Sequence, residues 1–443
     1  MKFTTSYTYD EAGNLLTKND GSGITTYTYD NRNRLIEMED ALGQSETYTY
    51  DANSNVIGKT DRNGTVTTTV YDGLKRVVSV SAEYADGTPA SEYLQNTYSK
   101  TGSLTQQQNE SMTISYTYDN HGRNTAQYQS DGMQKLYTYN LDGARLSFQL
   151  KQGNTVETNQ GYTYDAAGRL SQITGNGTIV ASYTYDGNSR LLTTAYPSAG
   201  ITSAYTYGTA GQLISLVNRK GTGILSQYGY TYYLDGNPAG KTDASGTTSY
   251  TYDGLGRLTQ ESNPAGTTLQ YTYDAAGNRL TLTESGSQTA NTAYMYDANN
   301  RLIKEMKTTG ETVTVTGYAY DPNGNQISRI QTRYEEEDGS AEADVAISVL
   351  GEEETPYNLE TRLNRYNSRN QLISVQDGGI TATYTYGPDG LRLSKTVNGE
   401  TTTHIWDGSE LVAETCGSGM ITQRYLRGNS LAASLDTDNQ ICY

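Results

Sequence analysis

The sequence is poor in the residues on which metal sites and many enzymes depend. Its 443 residues contain two cysteines, Cys416 and Cys442, and two histidines, His121 and His404. So few cysteines cannot build a disulfide framework, and their spacing differs from that of a CxxC metal site. Neither histidine stands at a metal-ligand spacing from another histidine or from a cysteine. We therefore expect no metal centre and no cofactor, and nothing in the sequence points to a Ser-His-Asp or Cys-His arrangement.

Long apolar stretches and positive charge are also scarce. The chain has no run of about 18 apolar residues, so no transmembrane helix is predicted. Its N-terminus leads directly into Tyr7-Thr8-Tyr9, without the apolar stretch of a signal peptide. Export would therefore depend on sequence outside this chain. The formal net charge of −17 disfavours nucleic acid and anionic membranes as partners.

Aliphatic residues, phenylalanine and tryptophan are scarce, and tyrosine is abundant in their place. Hydrophobic residues make up 34% of the chain, with 2 Phe and 1 Trp against 41 Tyr and 46 Gly. Globular domains usually contain about 45–50% apolar residues. Low hydrophobicity with high net charge is also typical of disorder, but here the tyrosines recur in a constant phase. Tyrosine must therefore supply much of any core, with a hydroxyl that needs a partner.

One motif recurs about every 20 to 25 residues: Tyr-x-Tyr-Asp, a short gap, then Gly-Asn or Gly-Arg and Leu. A fixed period of this length indicates a repeat architecture, in which each unit buries its apolar face against its neighbours. We interpret the second tyrosine, the aspartate and the glycine as the structural residues of the repeat. In the clearest copies they are Tyr9, Asp10, Gly13, Tyr29, Asp30, Tyr50, Asp51, Tyr118, Asp119, Gly122, Tyr164, Asp165, Gly168, Tyr185, Asp186, Tyr252, Asp253, Gly256, Tyr273, Asp274, Gly277, Tyr296 and Asp297.

Each copy of the motif predicts a β-hairpin. In residues 24–29 the tyrosines share one face and the threonines the other, which is the period of a strand. Asp30 ends that strand, where its carboxylate can accept hydrogen bonds from backbone N–H groups of a turn. The glycine three residues later suits a turn position with positive φ, and a residue such as Leu170 begins the return strand. The fold class is therefore all-β, and we expect the aspartates to cap hairpins rather than to catalyse.

Two stretches interrupt the spacing. Residues 335–355 contain nine acids and no Lys or Arg, and we expect an acidic solvated loop inserted between repeats. A cation-binding patch or a partner site is the alternative for this segment. Residues 79–95 are predicted to form a smaller loop. Otherwise residues 1–443 are predicted to be a single array, with no separate toxin or secretion domain.

The motif resembles a known repeat. Residues 162–170, Tyr-Thr-Tyr-Asp-Ala-Ala-Gly-Arg-Leu, are similar to the YD repeat of the RHS family. That family includes bacterial polymorphic toxins, wall-associated proteins, the B and C components of insecticidal toxin complexes, and teneurins. The resemblance implies tandem hairpins in a curved, spiralling sheet that forms a hollow shell lined by tyrosines, which encloses a toxin polypeptide in the toxin members. The chain ends at Tyr443 before the Pro- and Asp-rich block that closes such shells, so we expect part of a shell and assign no self-cleavage residues.

The resemblance implies a non-enzymatic structural scaffold, secreted or at a bacterial cell surface as part of a larger protein. Its partners would be an enclosed toxin polypeptide or the remaining shell segments, and open sheet edges would favour self-association. The alternative is an adhesion module whose exposed tyrosines bind glycans or a cell-surface protein. An enzyme is a third hypothesis, and a cleft joining His404 or His121 to acids would indicate it.

Overall fold

The structure, a computed structural model, describes residues 4–335, 357–436 and 441–442. These residues form 39 strands and one short 3-10 turn, Pro197–Ala199, without an α-helix. The strands of the first half are β1 Ser6–Tyr9, β2 Leu15–Asn19, β3 Ile24–Tyr29, β4 Leu35–Glu39, β5 Ser45–Tyr50, β6 Val56–Thr60, β7 Val66–Tyr71, β8 Val77–Glu83, β9 Pro89–Tyr98, β10 Leu104–Gln108, β11 Thr113–Tyr118, β12 Asn124–Gln129, β13 Met133–Tyr139, β14 Arg145–Gln152, β15 Thr155–Tyr164, β16 Leu170–Gly175, β17 Thr178–Tyr185, β18 Leu191–Tyr196, β19 Ile201–Tyr207 and β20 Leu213–Lys220.

The strands of the second half are β21 Gly223–Tyr232, β22 Pro238–Asp243, β23 Gly246–Tyr252, β24 Leu258–Ser262, β25 Thr268–Tyr273, β26 Arg279–Ser285, β27 Ala290–Tyr296, β28 Leu302–Thr309, β29 Thr312–Tyr320, β30 Gln326–Glu335, β31 Tyr357–Tyr366, β32 Leu372–Asp377, β33 Ile380–Tyr386, β34 Arg392–Val397, β35 Glu400–Asp407, β36 Glu410–Cys416, β37 Ile421–Arg427, β38 Leu431–Leu435 and β39 Ile441–Cys442. The prediction of an all-β fold is confirmed.

Alternation of threonine and tyrosine decides which face of a strand is covered. In β3, Ile24, Thr26 and Thr28 are exposed while Tyr27 and Tyr29 are half-buried. Threonine and tyrosine both favour extended backbone, and the period of two directs every tyrosine of a strand to the same side. The tyrosines of β3 therefore lie on one face of the sheet, and the same alternation in other strands has the same effect.

The chain divides into two compact units. Unit 1 contains residues 1–92 and 248–381, and unit 2 contains residues 93–247 and 382–443. Within each unit, strands that follow one another along the chain pair antiparallel. In most hairpins the register shifts by one residue at the second tyrosine, as between Thr163 and Tyr164. Each shift is a β-bulge that accompanies the repeat turn.

Unit 2 has an apolar core. Strands β13–β17 and β35–β38 contribute buried side chains to one cluster, with Phe148, Leu150, Ile173 and Ala413 at most 1% exposed. Ile405 and Leu426 on the C-terminal strands are 2% exposed in the same cluster. The half-buried Tyr164 and Tyr185 pack against it, so the C-terminal strands cover the tyrosine face of β13–β18.

Unit 1 buries few side chains, and most of those are polar. Among its described residues only Ala290, Tyr294 and Val375 are buried and apolar or aromatic. The buried polar residues of unit 1 are Asp40, Thr65, Thr292, Thr316, Asn364, Asn367 and Ser368. Unit 1 therefore depends on hydrogen bonding where unit 2 depends on apolar packing.

The two predicted loops have different outcomes. Residues 79–95 are not a loop, because β8 and β9 occupy most of them and a short turn with Tyr84 N–H bonded to Thr88 C=O joins the two strands. The spacing was longer because the strands are longer. The acidic insert, apart from Glu335, lies outside the described residues. The strands on either side of it pair, with Gln331 opposite Glu360.

Candidate functional site

Each repeat turn is organised by its aspartate. Asp30 Oδ1 accepts the N–H groups of Arg32 at 2.8 Å and Arg34 at 3.0 Å, and its Oδ2 accepts Arg34 Nε at 2.7 Å. The Asp30 backbone bonds Arg34 C=O and Asn33 N–H, and Asn33 has a φ of 59°. A tight turn followed by a residue in the left-handed region, with a bulge, is a common hairpin connection. Glycine fills the left-handed position in most repeats because it adopts positive φ without strain.

The other predicted turn residues have the same geometry. The glycines at the left-handed position have φ values from 76° to 96°: Gly13, Gly122, Gly168, Gly256 and Gly277. The remaining aspartates also accept the backbone N–H group four residues later: Asp10, Asp51, Asp119, Asp165, Asp186, Asp253, Asp274 and Asp297.

These hydrogen bonds keep the turn carboxylates ionised. The Arg34 side chain, followed by backbone N–H groups, lowers the pKa of Asp30 to about 2. Side-chain and backbone hydrogen bonds lower the pKa of the aspartate below its usual range in Asp10, Asp51, Asp119, Asp165, Asp186 and Asp253. A general acid needs a pKa near the working pH, so these aspartates are suited to holding turns and not to proton transfer.

The second tyrosine of a repeat connects it to the preceding hairpin. Tyr185 Oη donates to Leu170 C=O at 2.8 Å, and Tyr273 Oη donates to Leu258 C=O at 2.7 Å. The same bond, to the first residue of the previous return strand, is made by Tyr50, Tyr71, Tyr118, Tyr139, Tyr164, Tyr207, Tyr232, Tyr296 and Tyr320. The tyrosine hydroxyl thus acts as a crosslink between neighbouring hairpins.

An arginine adds a second connection in the other direction. Arg169, four residues after Asp165, donates from Nη1 to Asp186 C=O of the next repeat at 2.8 Å. Its guanidinium also lies 4.7 Å from the centre of the Tyr185 ring. Stacking of this kind is worth about 0.5–1 kcal/mol at partly exposed sites. The same stacking on the next second tyrosine is made by Arg34, Arg123, Arg190, Arg257 and Arg301.

The second tyrosines of the repeats are only partly buried. Most are half-buried, among them Tyr29 and Tyr252, and Tyr9 is 59% exposed. The first tyrosine of the motif is the more buried one in several repeats: Tyr137, Tyr162, Tyr183 and Tyr294 are 5–7% exposed. Sequence reasoning missed this difference, although the apolar cross-strand partners of two of them, Phe148 and Ile173, were a usable signal.

In unit 1, turns far apart in the sequence are joined by asparagine–aspartate pairs. Asn63 Nδ2 donates to Asp321 Oδ2 at 3.0 Å, and Asn323 Nδ2 donates to Asp61 Oδ2 at 2.8 Å. Asn299 Nδ2 makes the equivalent bond to Asp40, across 259 residues. We call these four turns, residues 40–44, 61–65, 297–301 and 321–325, the amide clasp.

In unit 2, distant segments are joined by charged side chains around the apolar core. Arg145 Nη1 donates to Asp407 Oδ2 at 2.5 Å, and Tyr137 Oη donates to the other oxygen of Asp407 at 3.1 Å. Arg424 pairs with Glu157 at 2.7 Å, across 267 residues. Burial raises the pKa of Tyr162 and of Tyr183 to about 12, so both hydroxyls remain donors at neutral pH.

The two histidines do not form a catalytic cleft. His404 is 5% exposed, its Nε2 lies 3.8 Å from Glu414 Oε1, and burial lowers the pKa of its imidazole. His121 lies in an exposed repeat turn, where its backbone N–H bonds Asp119. Within the described ranges no three His, Cys, Asp or Glu residues are grouped to hold a metal ion.

Surface cavities occur in both units. One of about 520 Å³ in unit 1 borders the amide clasp and is lined by Asp61, Asp321 and Tyr84 among others. Another of about 390 Å³ in unit 2 is lined by residues that include Arg145 and Asp407. Neither His404 nor His121 lines these two cavities.

Two family models match the chain. The Teneurin YD-shell model matches residues 1–146, and the RHS Repeat model matches residues 164–200, 232–268 and 254–289. The chain belongs to the RHS/YD-repeat family. Its role is accordingly that of a structural element of a β-repeat shell.

Curated relatives share part of the sequence. The chain is 30% identical over 302 residues to the tRNA3(Ser)-specific nuclease WapA of Bacillus spizizenii and to the tRNA nuclease WapA of Bacillus subtilis. Each match covers 66% of this chain and 11% of the relative. The Double-stranded DNA deaminase toxin A of Burkholderia cenocepacia is 25% identical over 228 residues, which are 52% of this chain and 12% of that protein. The chain thus spans only about a tenth of these relatives.

Solved structures share the fold. The crystal structure of TcdB2-TccC3-Cdc42 matches with a TM-score of 0.59 at 14% identity, over 96% of this chain and 26% of that one. A Photorhabdus luminescens Tc holotoxin pore with a mutation in TccC3 matches with a TM-score of 0.58 at 15% identity, over the same shares. The antiparallel sheet therefore corresponds to the curved YD-repeat shell fold. No helix among the described residues is long and apolar enough to cross a membrane.

Proposed function

We propose that this chain is a non-enzymatic segment of a shell that encloses a toxin polypeptide, within a larger secreted or bacterial cell-surface protein. One observation carries the proposal: in each unit the array meets itself again after a similar length of chain. The hydrogen-bonded partners are 258 to 280 residues apart in unit 1 and 244 to 277 apart in unit 2. Contacts that recur at a similar interval are what a strip of hairpins would make if it were wound into a wall.

The similar interval also supports a single array over residues 1–443. The local connections support it further, because the same tyrosine and arginine crosslinks occur in both units. A repeat strip whose units contact only their neighbours gains curvature from a small rotation at each step. The array would then form the wall of the shell. Its turns would be the places where segments distant in sequence contact each other.

The partners that fit this wall are the enclosed polypeptide and further shell segments. All four residues of β1 are exposed, and among the described strands β1 pairs only with β2. An unpaired edge of this kind favours pairing with another strand. Self-association of the isolated chain through this edge is a direct consequence of the proposal.

Enclosure can be tested by protection from protease. The chain would be produced with an unstructured, protease-sensitive polypeptide linked to its C-terminus, and cleavage of that polypeptide would be followed over time. We expect slower cleavage than for the same polypeptide linked to unit 2 hairpins 155–196 alone. Equal cleavage rates with the full chain correctly folded would contradict enclosure.

The absence of catalysis is tested separately. The purified chain, incubated from pH 5 to 8 with tRNA and with double-stranded DNA, should leave both substrates unchanged and should itself remain one intact band. A substrate change or a discrete fragment that disappears on replacing one aspartate would overturn the non-enzymatic role.

A further inference from the structure

The cavity beside the amide clasp of unit 1 carries unbalanced negative charge. It has a volume of about 520 Å³, and its lining includes three acidic residues, Asp61, Asp86 and Asp321, and one basic residue, Arg365. No Lys or Arg of the described residues forms an ion pair with any of the three carboxylates. The lining therefore has a formal net charge of two negative units, which favours a positively charged ligand over a neutral one.

The repeat turns differ in whether a cation accompanies the aspartate. In seven of them the aspartate is paired with an arginine four residues later: Asp30, Asp72, Asp119, Asp165, Asp186, Asp253 and Asp297. At Asp61 that position is Thr65, and at Asp321 it is Asn325. The cation is also missing at Asp10, Asp51 and Asp274, but Asp61 and Asp321 both line one cavity.

The lining also offers a buried polar group and aromatic surface. Thr65 is 5% exposed and lines the cavity, and its hydroxyl bonds no described residue. This hydroxyl is therefore available to bond a ligand or a water molecule in the cavity. Tyr84 and Tyr366 line the same cavity, and tyrosine rings attract organic cations. Burial and the neighbouring Glu92 carboxylate raise the pKa of Tyr84, in keeping with a negative environment.

The side chains are fixed before any ligand arrives. Asp61 Oδ1 accepts two backbone N–H groups and its Oδ2 accepts Asn323. Asp321 Oδ1 accepts the backbone N–H of Asn325, and its Oδ2 accepts the side-chain amides of Asn325 and Asn63. Groups held in this way lose little freedom when a ligand binds, which favours affinity. The volume is also within the range of small-molecule sites, about 300–1,000 Å³.

We propose that this cavity binds a small organic ammonium ion, a primary amine on an alkyl or hydroxylated chain, with Asp61, Asp86 and Asp321 balancing its charge. Tyr84 and Tyr366 provide the aromatic surface, and Thr65 provides a hydrogen-bonding hydroxyl. The proposal does not depend on enclosure of a toxin, because the whole cavity lies within unit 1.

Calorimetric titration of the purified chain with three probes tests this site. Spermidine has ammonium groups without hydroxyls, glucosamine has an ammonium group with hydroxyls, and glucose has hydroxyls alone. We expect spermidine, glucosamine or both to bind, glucose not to bind, and affinity to fall as salt screens the charges. Binding of spermidine alone identifies an alkylamine, and preference for glucosamine identifies an amino sugar. Equal binding of glucose, or binding of none of the probes, would overturn the proposal.

Two surface variants locate the binding. Asp86→Asn retains the oxygen that accepts Thr88 N–H but removes a charge, and we expect it to weaken binding at least about fivefold. Tyr84→Leu should weaken it about two- to fivefold. The matched control is Asp235→Asn, in an exposed turn of unit 2 whose aspartate accepts Asn237 N–H in the same way. An equal loss in the control, or none in Asp86→Asn, would show that the amine binds elsewhere and would reject this cavity.

Discussion

Units 1 and 2 are built from the same hairpin but hold their distant segments together by different means. In unit 2, Ile173 lies opposite Tyr162 and is fully buried beneath the C-terminal strands. The equivalent residue of unit 1, Leu282 opposite Tyr271, is only half-buried. Distant turns of unit 1 instead meet through the amide clasp. The residues of the repeat turn therefore determine how neighbouring hairpins form one continuous sheet. The residues between turns determine how distant parts of that sheet contact each other.

Because turn residues and strand residues have separate roles, a repetitive sequence can form one unit with an apolar core and another held by hydrogen bonds. The turn needs only an aspartate, a residue tolerant of positive φ and a tyrosine. Positions such as those of Ile173 and Leu282 are free to vary without disturbing the turn. Apolar burial favours a permanent contact, whereas amide-to-carboxylate hydrogen bonds, which contribute about 1.5–3 kcal/mol each to stability, exchange with hydrogen bonds to water.

Acidification should have the largest effect, and it should act on both units alike. Hydrogen bonds lower the folded-state pKa of Asp30 in unit 1 to about 2 and also lower that of Asp165 in unit 2. Their stabilising contribution is present above the pKa of an unfolded aspartate and is lost as pH falls through the folded pKa. We expect cooperative loss of structure as the pH falls through this range. Circular dichroism and hydrogen exchange in each unit would measure it. Loss confined to one unit would show that the turns are not equivalent. In Asp30→Asn the contribution of that turn should no longer depend on pH.

Removing a core side chain should distinguish the units most clearly. Ile173→Ala should destabilise unit 2 by about 2–5 kcal/mol, because it removes a fully buried side chain and leaves a cavity. Leu282→Ala is the matched variant of unit 1 and should cost less than half as much, since its side chain is half-buried. The measurement is hydrogen exchange at denaturant concentrations that resolve the two units. Equal costs would contradict the difference in burial.

Breaking the amide clasp should be the next largest effect, and it should be limited to unit 1. Asn323→Asp places a carboxylate against Asp61, where the amide now donates at 2.8 Å. We expect a loss of about 1–3 kcal/mol, with partial recovery at high salt because the new repulsion is screened. Guanidinium would obscure a salt effect, so urea unfolding is the appropriate measurement.

The control for the clasp is Asn53→Asp. Asn53 occupies the equivalent turn position after Asp51 but is exposed and uses only its backbone N–H in that bond. Its substitution should change stability by less than about 0.5 kcal/mol. If Asn53→Asp proved as damaging as Asn323→Asp, then the effect would come from added charge in general and not from the clasp.

The repeat could be predicted from the sequence because its signals are local. Positive φ at Gly168, the cap by Asp165 and the strand alternation each depend on residues within one hairpin. The contact of Asn63 with Asp321 could not be predicted, because it joins turns 258 residues apart that look like any other turns. Tyr162 is buried by strands that come more than 200 residues later, so within its own hairpin only an apolar partner such as Ile173 could indicate that burial. The stretch 79–95 was misread because a longer gap between motifs fits longer strands as well as a loop.

The smallest effect should come from the arginine crosslinks, and it should be equal in the two units. Arg169 in unit 2 and Arg257 in unit 1 each bind the turn aspartate through Nε and lie over the next tyrosine, at 4.7 Å and 4.6 Å. Lysine keeps the charge but lacks the planar fork that makes both contacts at once. Arg169→Lys and Arg257→Lys should therefore each cost about 0.5–1 kcal/mol, measured by urea unfolding with hydrogen exchange in the flanking hairpins. If the loss of stability in unit 2 were several times that in unit 1, then the arginine crosslink would depend on the apolar core that covers it. The turn contacts and the contacts between distant segments would then not be independent.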